Sequence, residues 1–251
     1  DYASKLQDGL EGYAASSMEQ LDTAYEGEDI YSVPLGSTGS AVCFYNADIL
    51  DEVGVEPPAT WADVKELTAA LEKQRPGTLT LVKPSWADAW FEDEFVLTMA
   101  GQIDPSFFDD IRYGDGSWES DAYVEALTRY AELYEDGTLQ RSALDLGYAD
   151  AMAAFTSGKA AMACNGTWEA ALLKKDYREA NGVEADRIGA IPVPADDPES
   201  RSLRSFLDIT WGIPTVSDNA AAAAAFISFV SQGEGVDIWA ENLGFVPSDA
   251  D

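Results

Sequence analysis

The sequence predicts an α/β fold, and three observations carry that prediction. Helical and strand-like segments alternate along its 251 residues, with no repeat, low-complexity tract or Gly/Ser linker. Apolar residues make up 46% and aromatics 11%, enough for a packed core despite a formal net charge of -31. That charge comes from 46 Asp and Glu against 15 Lys and Arg, and it is therefore a property of the surface.

Strand character appears first in residues 31–35 and 41–45, which are short apolar runs. The clearest helix follows Pro57-Pro58-Ala59. Thr60 caps it with Asp63 at the third position, Val64, Leu67 and Leu71 form its apolar stripe, and Arg75-Pro76-Gly77 ends it. A strand over 78–82 comes next. The second helix is capped by Ser120, carries Val124, Leu127, Ala131 and Tyr134, and stops at Gly137. A third covers about 148–156 and ends at Gly158. Strands are expected over 160–164, 188–193 and 206–213, and a last, alanine-rich helix starts near Ser217-Asp218-Asn219 and reaches about Gln232.

Composition excludes many functions. A surface this acidic repels phosphate backbones and anionic membranes, because nucleic-acid affinity comes largely from Lys and Arg. With no His, the usual neutral-pH general base and the Ser-His-Asp and Cys-His nucleophile systems are absent. Two cysteines alone make no zinc site. Cys43 and Cys164 each fall in a predicted strand and could be sheet neighbours, as a disulfide or as two buried thiols. The longest apolar stretch, residues 220–230, is far short of the roughly 20 residues that span a bilayer. The chain opens on Asp1-Tyr2-Ala3 without an initiator Met or signal segment, as a processed or excised piece would.

Signature motifs fail in turn. No phosphate-binding P-loop or calcium loop is present, and Gly114-Asp115-Gly116 is followed by Glu119 where a dinucleotide fingerprint needs glycine. Asn165-Gly166-Thr167 matches a glycosylation sequon but ends a predicted strand beside Trp168. The acid clusters Glu92-Asp93-Glu94, Asp109-Asp110 and Asp196-Asp197 read as a solvated face, since a glycosidase needs two carboxylates facing one bond.

What remains is aromatic residues at strand ends beside small polar groups: Ser85-Trp86 with Trp90-Phe91, Asn165-Gly166-Thr167-Trp168, and Asp208-Ile209-Thr210-Trp211. Sugar recognition uses this mixture, a flat ring against the sugar's C–H face and polar groups on its hydroxyls. At these residues the chain resembles the extracellular solute-binding proteins of ABC importers, in particular the sugar-binding family that includes maltose-binding protein. The segments that carry the resemblance are residues 31–37, 42–50 and 57–61, Ala154-Phe155-Thr156-Ser157-Gly158-Lys159-Ala160-Ala161-Met162, 165–168, Ile191-Pro192-Val193-Pro194, 206–214 and 220–230, in order over about 25–247.

The resemblance implies a periplasmic-binding-protein-like fold of the class II type, with two α/β lobes, ligand in the cleft between them, and closure read by a membrane permease. It implies residues 1–36 as part of the first lobe, 37–205 as a nearly complete second lobe, and 206–251 as the return to a first lobe that is only partial, because family members carry more chain at both ends. Its implied ligand residues are Ser37 and Thr38 at the first crossing, Trp86 and Trp90 in a second-lobe loop, Asn165, Gly166 and the stacking Trp168 in the same lobe, and Asp208 and Trp211 on the return. The expectation is a monomeric binder of a sugar or oligosaccharide, without cofactor or metal, extracellular or periplasmic, tethered to lipid if an absent N-terminus carries an anchor. The alternatives are a glycoside hydrolase using paired carboxylates, the same fold on a polyamine or other cation, and an interaction fragment without ligand. Seven Lys and eight Arg beside so many acids fit a protein kept soluble in high salt, and equally an acidic exported protein.

Overall fold

The computed structural model describes residues 6, 8–24, 30–85, 88–232, 234–243 and 246–248. In chain order the elements are α1 (Ala15–Ala24), β1 (Val33–Ser40), β2 (Val42–Asn46), α2 (Ala47–Val53), α3 (Trp61–Gln74), β3 (Leu79–Val82) and α4 (Ala89–Ile103). There follow α5 (Phe107–Tyr113), α6 (Asp121–Glu135), α7 (Tyr148–Thr156), β4 (Ala160–Asn165), α8 (Lys175–Ala180), β5 (Ile188–Pro192), β6 (Arg204–Trp211), α9 (Ala220–Gln232), α10 (Gly235–Leu243) and β7 (Val246–Pro247). They form two compact units, the first comprising Asp1–Gly39, Thr167–Glu169 and Ser205–Asp251, the second Ser40–Gly166 and Ala170–Arg204.

The second unit is built on a four-stranded sheet of order β3-β4-β2-β5, with β3 parallel to β4 and the other pairs antiparallel. All six residues of β4 are buried, as expected of a strand covered on both faces. In the register of β2 and β4, Cys43 stands directly opposite Cys164, and the two are joined as a disulfide. Helix α7 packs on β3 and β4 and α3 on β3, and Val42, Phe44, Val82, Ala151, Phe155 and Leu172 lie in one apolar cluster.

Local chemistry fixes the helix ends. Thr60 Oγ1 accepts the Asp63 N–H at 3.2 Å while Asp63 accepts the Thr60 N–H at 2.8 Å, a reciprocal capping box for α3. Asn46 caps α2 by accepting from the N–H groups of Asp48 and Ile49, and Gly54 ends it with φ of 74°, a left-handed conformation that only glycine adopts without cost. Ser120 caps α6.

Two expectations are corrected. Trp90, expected with Trp86 in a second-lobe loop, instead lies in the first turn of helix α4, a helix not among those expected from the sequence. Phe91, Phe95, Val96, Leu97, Met99 and Ala100 of α4 are all buried, so no single apolar stripe marks it in sequence. In α6 the predicted stripe faces partly outward: Val124 is 53% and Leu127 43% exposed, whereas Ala122, Ala126, Leu133 and Tyr134 are buried. Two overlapping apolar rows exist on this helix, and packing against α4 selects the second.

The first unit carries a three-stranded sheet of order β6-β1-β7, with β7 antiparallel to β1. Its apolar packing joins Leu6, Tyr13 and Ile227 with Val33 and Trp211, and Leu35 and Val230 with Ile209, Trp211 and Trp239. The Tyr13 hydroxyl lies 2.7 Å from Ser231 Oγ, tying the N-terminal segment to α9. No helix among the described residues is long and apolar enough to cross a membrane.

Candidate functional site

The second unit holds a concavity of about 440 Å³ lined by Trp90, Asp93, Glu94, Leu97, Trp118 and Tyr123. Four of these sit at positions i, i+3, i+4 and i+7 of α4, so one helix face supplies a ring, two carboxylates and an apolar floor. Trp118 comes from the turn before α6 and Tyr123 from its first turns.

The rings are anchored yet open. Trp118 is 54% exposed while making edge-to-face contacts with Phe107 and Tyr123, at 6.2 and 5.2 Å between centroids. Phe107 in turn stacks on Tyr123 at 5.6 Å. Trp90 is 46% exposed and packs edge-on against Phe91. Gly116 makes the turn before Trp118 possible: its N–H donates to Asp110 O at 2.9 Å, and a Cβ there would sit 2.6 Å from the Asp110 carbonyl carbon.

The two carboxylates differ. Glu94 accepts the Ser40 hydroxyl hydrogen at 2.6 Å and pairs with Arg204, whose guanidinium lies over the Phe108 ring at 3.8 Å. Asp93 is exposed, and among the described residues it makes no hydrogen bond or ion pair. Burial, and secondarily the charge of Asp93, raise the Tyr123 pKa above its ordinary value.

Behind this face a buried network fixes α4. Lys83 is 2% exposed, and its Nζ pairs with Glu92 at 2.6 Å and donates to Ser85 Oγ at 3.0 Å. Tyr130 donates its hydroxyl hydrogen to Glu92, and the rings of Phe95 and Tyr130 lie 5.4 and 5.2 Å from Lys83 Nζ. Burial pushes the Lys83 pKa down, against the opposing pull of Glu92. Burial likewise raises Tyr130 and Tyr134.

In the first unit, Thr38 and Asp208, both expected at the site, meet: Thr38 Oγ1 donates to Asp208 Oδ2 at 3.1 Å. The next residue, Gly39, donates its N–H to Thr167 Oγ1 at 3.1 Å, tying the residue before the half-buried Trp168 to the end of β1. Thr167–Glu169 group with the first unit, whereas the resemblance put Trp168 in the second. Ser37 is half-buried on β1.

Other expected residues lie in the interior. Asn165 is fully buried, its amide donating to Met152 Sδ at 3.3 Å and accepting from the Gly166 N–H at 3.1 Å, and Gly166 is buried with it. Trp211 is partly buried and packs edge-on against Phe226 and Trp239 beside the first unit's apolar cluster. Trp86 lies outside the described residues. Sequence reasoning missed Trp118, Tyr123, Asp93 and Glu94; the signal for Trp118 was an aromatic in a Gly-Asp-Gly-Ser turn. Among the described residues no three His, Cys, Asp or Glu side chains converge as metal ligands.

The sequence profile of the bacterial extracellular solute-binding protein family matches residues 1–251. A multiple sugar-binding protein of Streptococcus mutans is 24% identical over 156 residues, which is 59% of this chain and 36% of that protein. Among solved structures, a chitin oligosaccharide binding protein superposes with a TM-score of 0.75 at 23% identity, over 99% of this chain and 60% of that one. Maltose-bound T. maritima MalE3 superposes with a TM-score of 0.77 at 19% identity, over 100% of this chain and 62% of that one. The two-unit α/β architecture is thus the fold of these binding proteins, of whose length the chain spans about 60%. Because the profile matches from end to end, this chain belongs to the bacterial extracellular solute-binding protein family.

Proposed function

We propose that the chain serves as the solute-capturing component of an ABC importer for carbohydrate, holding a sugar or oligosaccharide outside the cell membrane for a membrane permease. One observation carries this reading: two anchored, half-exposed tryptophans share a concavity with a phenol and two carboxylates. Indole faces cover the C–H faces of sugar rings, and carboxylates accept from sugar hydroxyls. The similar proteins, which are a multiple sugar-binding protein, a chitin oligosaccharide binding protein and a maltose-bound protein, support the same class of ligand. Within the first unit, Asp208, oriented by Thr38, and Trp168 are proposed as sugar-contacting groups in their own right.

In this reading the ligand is bound and released unchanged, no cofactor or metal takes part, and the protein acts as a monomer. A net charge of -31 argues against nucleic acid as partner. The test pairs two measurements on the 251-residue chain: tryptophan fluorescence during titration with neutral oligosaccharides, and an assay for new reducing ends after incubation. Saturable fluorescence change without new reducing ends is expected; sugar cleavage would replace binding by hydrolysis as the function.

A further inference from the structure

The concavity is chemically asymmetric in a way that a pocket for uncharged sugar does not require. Of its two carboxylates, Glu94 is matched by Arg204 and Ser40, while Asp93 has no cationic partner among the described residues. No Lys or Arg lines the space. Three aromatic rings, Trp90, Trp118 and Tyr123, line it, and aromatic quadrupoles attract cations, those of indoles most strongly. The field of the whole chain adds to this, concentrating cations and repelling anions.

We propose that this pocket prefers a glycan bearing a protonated amine, such as a glucosamine oligomer without acetyl groups, with the ammonium placed on Asp93 and the sugar rings on Trp90 and Trp118. This rests on the carbohydrate reading above and narrows it. The ammonium supplies the charge that Asp93 lacks, forming a charge-assisted hydrogen bond where an N-acetyl group offers only a neutral amide. Acidic sugars such as galacturonic acid oligomers are excluded, because their carboxylates would meet Asp93 with no cation between.

The experiment is a set of fluorescence titrations at mildly acid pH with glucosamine tetramer, its fully N-acetylated counterpart and a galacturonic acid tetramer. Three proteins are compared: the unaltered chain, Asp93→Asn, and Glu72→Gln, which removes an equal charge from the exposed face of α3 outside the pocket. The expected result is roughly tenfold tighter binding of the free amine than of the acetylated tetramer, no binding of the acid, collapse of the preference toward unity in Asp93→Asn, and its retention in Glu72→Gln. Equal affinity for amine and acetylated forms, or a preference that survives Asp93→Asn, overturns the inference and leaves carbohydrate binding standing. If neither neutral nor amine-bearing sugar binds, the carbohydrate reading falls and this one with it. Circular dichroism of Asp93→Asn separates lost folding from lost preference, and the exposed position of Asp93 on α4 predicts an unchanged spectrum.

Discussion

Thr38 on β1 donates its hydroxyl hydrogen to Asp208 on β6, joining two residues 170 positions apart across neighbouring strands of the first unit's sheet. Thr38 is 3% exposed while Asp208 is exposed, so the bond fixes the orientation of a carboxylate that still faces water. Replacing Thr38 by Val keeps the shape and removes the donor. The expected cost is about 1 kcal/mol, because Asp208 recovers water in exchange. Urea unfolding of Thr38→Val checks it, and a loss near 3 kcal/mol would mean that Asp208 is less hydrated than its exposure indicates.

The Cys43–Cys164 disulfide closes a loop across 121 residues of the second unit. A crosslink of that span restricts the unfolded chain strongly, and its loss is expected to cost about 2–4 kcal/mol. Comparing denaturant midpoints of the oxidised chain with those of Cys43→Ser/Cys164→Ser measures it.

Glu92 faces a lysine that has almost no access to solvent. Glu92→Gln strands the Lys83 charge and is expected to destabilise by about 3–5 kcal/mol, whereas Lys83→Met with Glu92→Gln recovers a large part of that loss. Chemical unfolding of the three variants tests the coupling. The same network seats α4, so Glu92→Gln is also expected to weaken the sugar binding proposed at Trp90 and Asp93.

How far the sequence itself reveals this depends on how local the determinants are. Helix α3 is legible to the residue at its start because Thr60 and Asp63 satisfy each other's backbone donors. The placement of both cysteines in strands foresees the pairing of β2 with β4 as one arrangement, though the disulfide itself needs the register. Helix α4 is opaque: its apolar residues point almost all around, and Glu92-Asp93-Glu94 reads as one acidic surface run. On a helix those three successive side chains diverge by about 100° each, so Glu92 turns inward to Lys83 while Asp93 and Glu94 line the concavity. For Trp211, expected as a ligand contact at a strand end, the packing of Phe226 from α9 and Trp239 from α10 against it is disclosed by no local pattern.

Asp136, just after α6, predicts a specific pH dependence. The Lys65 ammonium at 2.8 Å, then the Thr138 hydroxyl at 2.7 Å, hold its pKa down from 3.8 to about 2. A carboxylate with a lowered folded pKa contributes stability that is present above its unfolded value of 3.8 and lost as pH falls through about 2. Asp136→Asn is therefore less stable than the parent near neutral pH by a small amount, the group being largely exposed, and the gap closes in acid. Thermal unfolding of both proteins from neutral pH to pH about 2 shows whether the curves converge.

Salt should stabilise this chain. With 46 acidic against 15 basic residues, self-repulsion opposes the folded state, and screening lengths shrink from about 10 Å at 0.1 M to about 3 Å at 1 M salt. The melting temperature is expected to rise across that range, and unfolding in dilute buffer would mark adaptation to high salt.

Carbohydrate capture by the tryptophan-lined concavity is the central function proposed for this chain. Calorimetric titration of the chain and of Trp118→Ala with a series of oligosaccharides tests it most directly. The predicted result is saturable one-to-one binding of at least one sugar, weakened in Trp118→Ala by about 1–3 kcal/mol through lost stacking and buried area. Absence of saturable heat with every sugar, or equal affinity of the two proteins, would contradict it.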